Sequence, residues 1–175
     1  AKLLRLRGIA MQDAVPIGVG SMAALLGSDI ETAQKLAEQL LSLARRAQDN
    51  AHLIEAHYAM GQTWYFEGEL SQGRKHFEQL LTLYDPAQHH ALPFVYGLDP
   101  GVMGKSLLAS ILVLLGYPDQ ARKLSHEALT LAREVAHPSS LAFCLYQVCW
   151  THYLCRDIRA AQGRAETLMT LSTEQ

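Results

Sequence analysis

Charge is scarce in this sequence, and neither sign is in surplus: charged residues make up 18% of the 175 positions, and the formal net charge is −2. That balance supplies no general attraction to nucleic acid or to anionic lipid. Long apolar runs are also missing. Runs such as Ile111 to Leu115 fall far short of the 18 or so residues that a membrane-spanning helix needs. The first residues, AKLLRLRGIA, are basic and apolar but lack the continuous apolar core and small-residue cleavage site of a signal peptide. Cysteine is limited to Cys144, Cys149 and Cys155, an odd number in one short stretch. Free thiols in a reducing compartment fit that usage better than a disulfide framework, so the expected location is the cytoplasm. Strand signals are nearly absent as well: there is no sustained period-two alternation, and no Asn-Gly or Asp-Gly joins two apolar runs.

Hydrophobic residues, in contrast, reach 49%, enough for one compact domain. Their spacing is helical. Between residues 99 and 134, Val102, Leu107, Leu108, Ile111, Leu112 and Leu115 recur at steps of three and four. After a turn at Gly116-Tyr117-Pro118, Ala121, Leu124, Ala128, Leu129 and Ala132 do the same, the pattern of two helices that each bury one face. Asp99 and Pro100 suit the start of the first helix, and Pro118 and Asp119 the start of the second.

This hairpin recurs. The run EQLLSL at 38–43 repeats as EQLLTL at 78–83, an offset of 40 residues that also places Ile30 on Leu70. A second step of 40 places Ala121, Ser125, Ala128 and Leu129 on Ala161, Ala165, Leu168 and Met169. Between the middle copies the offset is 48, since Gly68 matches Gly116, so eight extra residues fall after Tyr84. The expected fold is therefore all-α, an α-solenoid of about four antiparallel hairpins at about 11–48, 51–84, 99–134 and 138–172. In the first hairpin, the early part carries Pro16, Gly18 and Gly20 and is poorly defined, whereas Asp29 or Ser28 can cap its second helix. Small residues at matched positions, Gly61 and Ala109 in first helices and Ala33, Gly73, Ala121 and Ala161 in second helices, imply close helix crossings.

One irregular stretch, 85–98, interrupts the array and runs on to Gly101, with three of the six prolines between Asp85 and Gly101. Its apolar cluster, Leu92, Pro93, Phe94, Val95 and Tyr96, predicts a loop packed on the repeats, in a region where connections of this length are often functional.

The pattern of Gly61, Gly68, Gly73 and Phe77, repeated as Ala109, Gly116, Ala121 and Ala128, resembles the tetratricopeptide repeat, lengthened from 34 to about 40 residues, and that resemblance implies that the α-solenoid is a right-handed superhelix. More narrowly, the runs YDPAQHH, YGLDPGV, LLGYPDQA and HPSSLAF resemble the helical-repeat region of large bacterial signalling proteins that join a nucleotide cyclase or kinase domain to a regulatory ATPase. That resemblance, from about Asp29 to Gln175, implies a regulatory or scaffolding segment of a larger protein, with catalysis located elsewhere.

The sequence offers no catalytic set of its own. Gly101-Val102-Met103-Gly104-Lys105-Ser106 resembles the end of a phosphate-binding loop, but Asp99 stands where the motif needs its first glycine, and no strand precedes it. Histidines His52 and His57 lie five apart, His89 and His90 are adjacent, and His137 stands alone, none with the spacing of a metal site. The cysteines, five and six apart, do not form a Cys-x-x-Cys pair. The expectation is thus a non-enzymatic module without cofactor or metal.

The tetratricopeptide resemblance implies a groove, counted from the small positions Gly61 and Cys149. Tyr58, Gln62 and Tyr65 fall on the inner side of the second hairpin, and Phe143, Tyr146, Trp150 and Tyr153 on that of the fourth, over the small or apolar Met103, Ser106, Ser110 and Val113 of the third. An aromatic-lined groove with a shallow floor suits a peptide or a helix of a protein partner, within the same chain or in trans. The same rings could instead fill a packed superhelix. A further alternative is a small-ligand sensor, its pocket lying between the loop that carries Tyr96 and the groove, with binding shifting the curvature of the array. Terminal repeats offer faces through which two copies could pair.

Overall fold

The computed structural model describes residues 30–173, so the expected first helix, about 11–26, and its Ser28 or Asp29 cap lie outside the described residues. Every regular element among the described residues is a helix. In chain order they are α1 (Ile30–Ala47), α2 (Asn50–Glu67), α3 (Leu70–Leu83), α4 (Pro86–His89), α5 (Leu92–Tyr96), α6 (Pro100–Leu114), α7 (Pro118–Val135), α8 (Pro138–Leu154) and α9 (Ile158–Thr173). None is long and apolar enough to cross a membrane.

Neighbours in sequence are neighbours in space. α1 packs on α2, α2 on α3, α6 on α7, and α8 on α9, while α6 also touches α2, α3 and α8. The tight turns between α2 and α3, α6 and α7, and α8 and α9 repeat one geometry. Gly68, Gly116 and Arg156 each adopt a left-handed backbone, with φ of 83°, 88° and 58°. In each turn that residue's N–H and the next one donate to carbonyls of the last helical turn: Gly68 to Tyr65 and Glu69 to Trp64, Gly116 to Val113 and Tyr117 to Leu112, Arg156 to Tyr153 and Asp157 to His152. These paired bonds satisfy carbonyls that a helix end otherwise strands.

α6 is the hub. It is apolar on nearly every side and buried along almost its whole length, as such a helix must be. One core cluster joins Ile54 of α2, Phe77 and Leu80 of α3, Leu92 of α5, and Leu107, Leu108, Ile111 and Leu112 of α6. A second joins Val102 of α6 to Leu129 and Leu131 of α7 and Leu145 and Val148 of α8. A third, Ala37, Leu41, Ala44, Ala56 and Met60, holds α1 to α2. The small residues do what their positions predict: a Cβ on Gly61 would stand 2.9 Å from the Phe77 ring, and Ala109 and Ala121 are fully buried.

The stretch expected as an irregular loop, 85–98, is instead built from two short helices. Asp85 accepts from the Ala87 N–H at 3.0 Å ahead of Pro86, and Pro93 sits in the first turn of α5. Two of the five residues in its apolar cluster are buried. Leu92 and Pro93 are buried, whereas Phe94, Val95 and Tyr96 are 78%, 66% and 42% exposed. A five-residue helix has one inner face, and the Leu92-Pro93 pair already fills it.

Candidate functional site

The anticipated groove residues lie on α2 and α8, each of which packs on α6, and they divide into two groups. Tyr58, Tyr65 and Phe143 are half-buried and pack on the cluster that contains Leu107 and Ile111. Gln62 is half-buried beside Tyr58. Tyr146, Trp150 and Tyr153 stand out at 54%, 39% and 56% exposure.

The two helices meet across α6. The Trp150 indole is close enough to the Tyr65 hydroxyl for a polar contact, with the Tyr146 phenol nearby. The rings continue along α8, where Trp150 stacks on Tyr153 at 5.5 Å and Phe143 approaches Tyr146 at 6.3 Å. On α2, Phe66 lies edge-on to Tyr65 at 5.3 Å and is 70% exposed. Beneath the rings, Met103, Ser106 and Ser110 are buried, and Ser110 meets Thr151 of α8 oxygen to oxygen at 3.3 Å. Small side chains on α6 suit the close packing of α2 and α8 against it.

At the other end of this face, Tyr96 lies within the field of Glu55, one turn before Tyr58 on α2. Burial pushes the Glu55 carboxyl up to about 7, and the nearby Asp99 carboxylate adds to the shift. Glu55 escapes notice in the sequence, although steps of three, seven and ten residues to Tyr58, Gln62 and Tyr65 put it on the same helical face. Phe66 and Phe94 also join the exposed aromatic set; for Phe66 the sequence carries no signal, because it stands one residue off the inner stripe.

Asp99 anchors the floor. It is fully buried, as are Pro100 beside it and Ser140 at the start of α8. Its carboxylate accepts from the Val102 N–H at 2.8 Å and from the Tyr84 hydroxyl at 2.8 Å. Its own N–H donates to Ser140 Oγ at 2.8 Å, and that oxygen lies 2.9 Å from His137 Nδ1. The set has the residue types of a hydrolytic triad, but the serine oxygen lies wholly inside the protein and is taken up by a backbone amide and an imidazole. It works as a joint that fixes the end of α3 and the starts of α6 and α8 together.

A recess of about 430 Å³ lies elsewhere, lined by Leu81, Tyr84, Lys105, His126, Glu127 and Glu134 among others, and by none of the groove aromatics. Lys105 there is paired with Glu127 at 3.0 Å. Among the described residues no three His, Cys, Asp or Glu side chains are grouped to hold a metal ion. No protein-family model matches the chain, and no curated protein matches it.

Proposed function

We propose that this chain is a non-catalytic protein-interaction module, and that the face made by α2, α6 and α8 is the concave side of a right-handed superhelix of tetratricopeptide-like hairpins. The three matching turns and the small residues at helix crossings support that architecture. In that arrangement α2, α6 and α8 are the inner helices, and α1, α3, α7 and α9 the outer ones. The module acts as a regulatory or scaffolding segment of a larger bacterial signalling protein in the cytoplasm, docking a peptide or a helix of a protein partner. Exposed apolar residues at the two ends, Leu36 and Leu43 on α1 and Ile158 and Met169 on α9, suit contacts with neighbouring repeats or a second copy.

One observation carries the reading: Tyr146, Trp150 and Tyr153 hold three large rings in water along one helix face, contiguous with the half-buried Tyr65. Isolated exposed apolar residues are ordinary, but a strip of exposed aromatic rings along one helix face is the composition of a binding hot spot. Replacing Tyr65 and Trp150 together by Ala is expected to weaken capture of partner proteins while circular dichroism shows unchanged helicity. Unchanged capture rejects this face as the docking surface.

A further inference from the structure

The face carries a carboxylate with nothing to answer it. Glu55 Oε1 is closed off from water and has no hydrogen-bond partner, and no ion pair among the described residues includes Glu55. Asp99 cannot help, since it is itself acidic and its oxygens are already taken by the Val102 N–H and the Tyr84 hydroxyl. Two phenols, Tyr58 and Tyr96, stand within the electrostatic reach of Glu55, one from its own helix and one from α5. A buried acid left without a donor costs free energy that a ligand can recover. The matching donor is a cation, for which tyrosine faces beside a carboxylate supply both charge and quadrupole.

We propose that Glu55, one helical turn before Tyr58 on α2, anchors a lysine or arginine side chain of the partner segment that docks on the aromatic face. This rests on the reading of that face as a docking surface and names what its partner must carry there. The aromatic strip of α8 supplies contact area, and Glu55 selects charge and fixes register. Glu55 is only half-buried, so part of the residue is open to an incoming cation.

The test is a selection from a random-peptide display library on the purified chain, followed by synthesis of the enriched peptides and measurement of Kd by fluorescence anisotropy. The enriched peptides should share a Lys or Arg whose replacement by Gln weakens binding about tenfold, and Glu55→Gln should weaken the parent peptide by a similar factor. The two changes together should then cost little more than either alone, the mark of a direct pair. Enriched peptides without a basic residue, or losses that simply multiply, overturn the anchor while leaving the aromatic face in place. If no peptide is enriched, or if binding survives Tyr65→Ala with Trp150→Ala, the docking surface itself is wrong. Glu55→Gln is nearly isosteric, so its helicity and melting temperature serve as the control for folding.

Discussion

Asp99 does three jobs with one side chain and one amide. It caps α6 through Val102, receives the Tyr84 hydroxyl, and ties α8 in through Ser140. Removing it strands buried donors on two other elements, so Asp99→Ala is expected to cost about 2 kcal/mol or more, read as a lower midpoint in urea unfolding with an unchanged slope. Its role as a cap was legible from Asp-Pro-Gly ahead of an apolar helix. The links to Tyr84 and Ser140 were not, because they join residues 15 and 41 positions apart. Arg156 makes the complementary case. It occupies the left-handed turn position that Gly68 and Gly116 fill in the other two hairpins, and a side chain there is strained. Arg156→Gly should therefore stabilise the chain by about 0.5 kcal/mol, the relief of strain outweighing the extra freedom of an unfolded glycine, and differential scanning calorimetry would register a small rise in Tm.

Among the elements, α8 and α3 begin at the residues the sequence indicated, because Pro138 and the repeat offset mark them without ambiguity. Capping residues and three-and-four spacing are local properties, which is why they can be read from one chain. The 85–98 segment packs on the body through Leu92 and Pro93 as its apolar cluster suggests, but Phe94, Val95 and Tyr96 stay exposed, since nothing local distinguishes a five-residue run with one apolar pair facing inward from one that packs throughout. Close crossings were legible through their small residues, and they set a clear expectation. Ala121 is fully buried against the cluster of Ile111 and Leu112, so Ala121→Leu should destabilise by about 1–3 kcal/mol by forcing α7 off α6, measurable as a lower Tm. The candidate face was legible to the same extent. Counting along α2 and α8 located the rings, but their meeting over α6 depends on how far small residues let the helices approach, which no single helix encodes.

For the molecule as a whole, pH sets two groups of α2 against each other, the buried His57 and the half-buried Glu55. His57 faces His76, Nδ1 to Nδ1 at 3.1 Å, and burial, with help from His76 and Arg45, holds it down to about 4. Neutral in the fold and protonated once unfolded, it removes stability as pH falls from its ordinary value near 6.5 toward 4. Glu55 runs the other way. With its carboxyl raised to about 7, the fold holds a proton that the unfolded chain, at its ordinary value of 4.5, has already lost, so its contribution weakens as pH rises from 4.5 through 7. Melting curves between pH 4.5 and 8 should therefore separate the two: Glu55→Gln raises Tm by a few degrees at pH 8 and changes it little at pH 4.5, whereas His57→Gln lessens the loss of stability on the acid side. An equal shift of Tm at every pH for either variant would contradict these assignments.

The central claim is that the α2–α6–α8 face meets a protein partner, and the most direct test is site-specific photo-crosslinking in the cell of origin. A photoreactive phenylalanine analogue at Tyr153, on the exposed aromatic strip, is compared with the same group at Lys123, exposed on α7. The account predicts a discrete crosslinked product from position 153, identified by mass spectrometry, that disappears when Trp150 is also changed to Ala and is absent from position 123. Equal crosslinking from both positions, or products only from position 123, would contradict it.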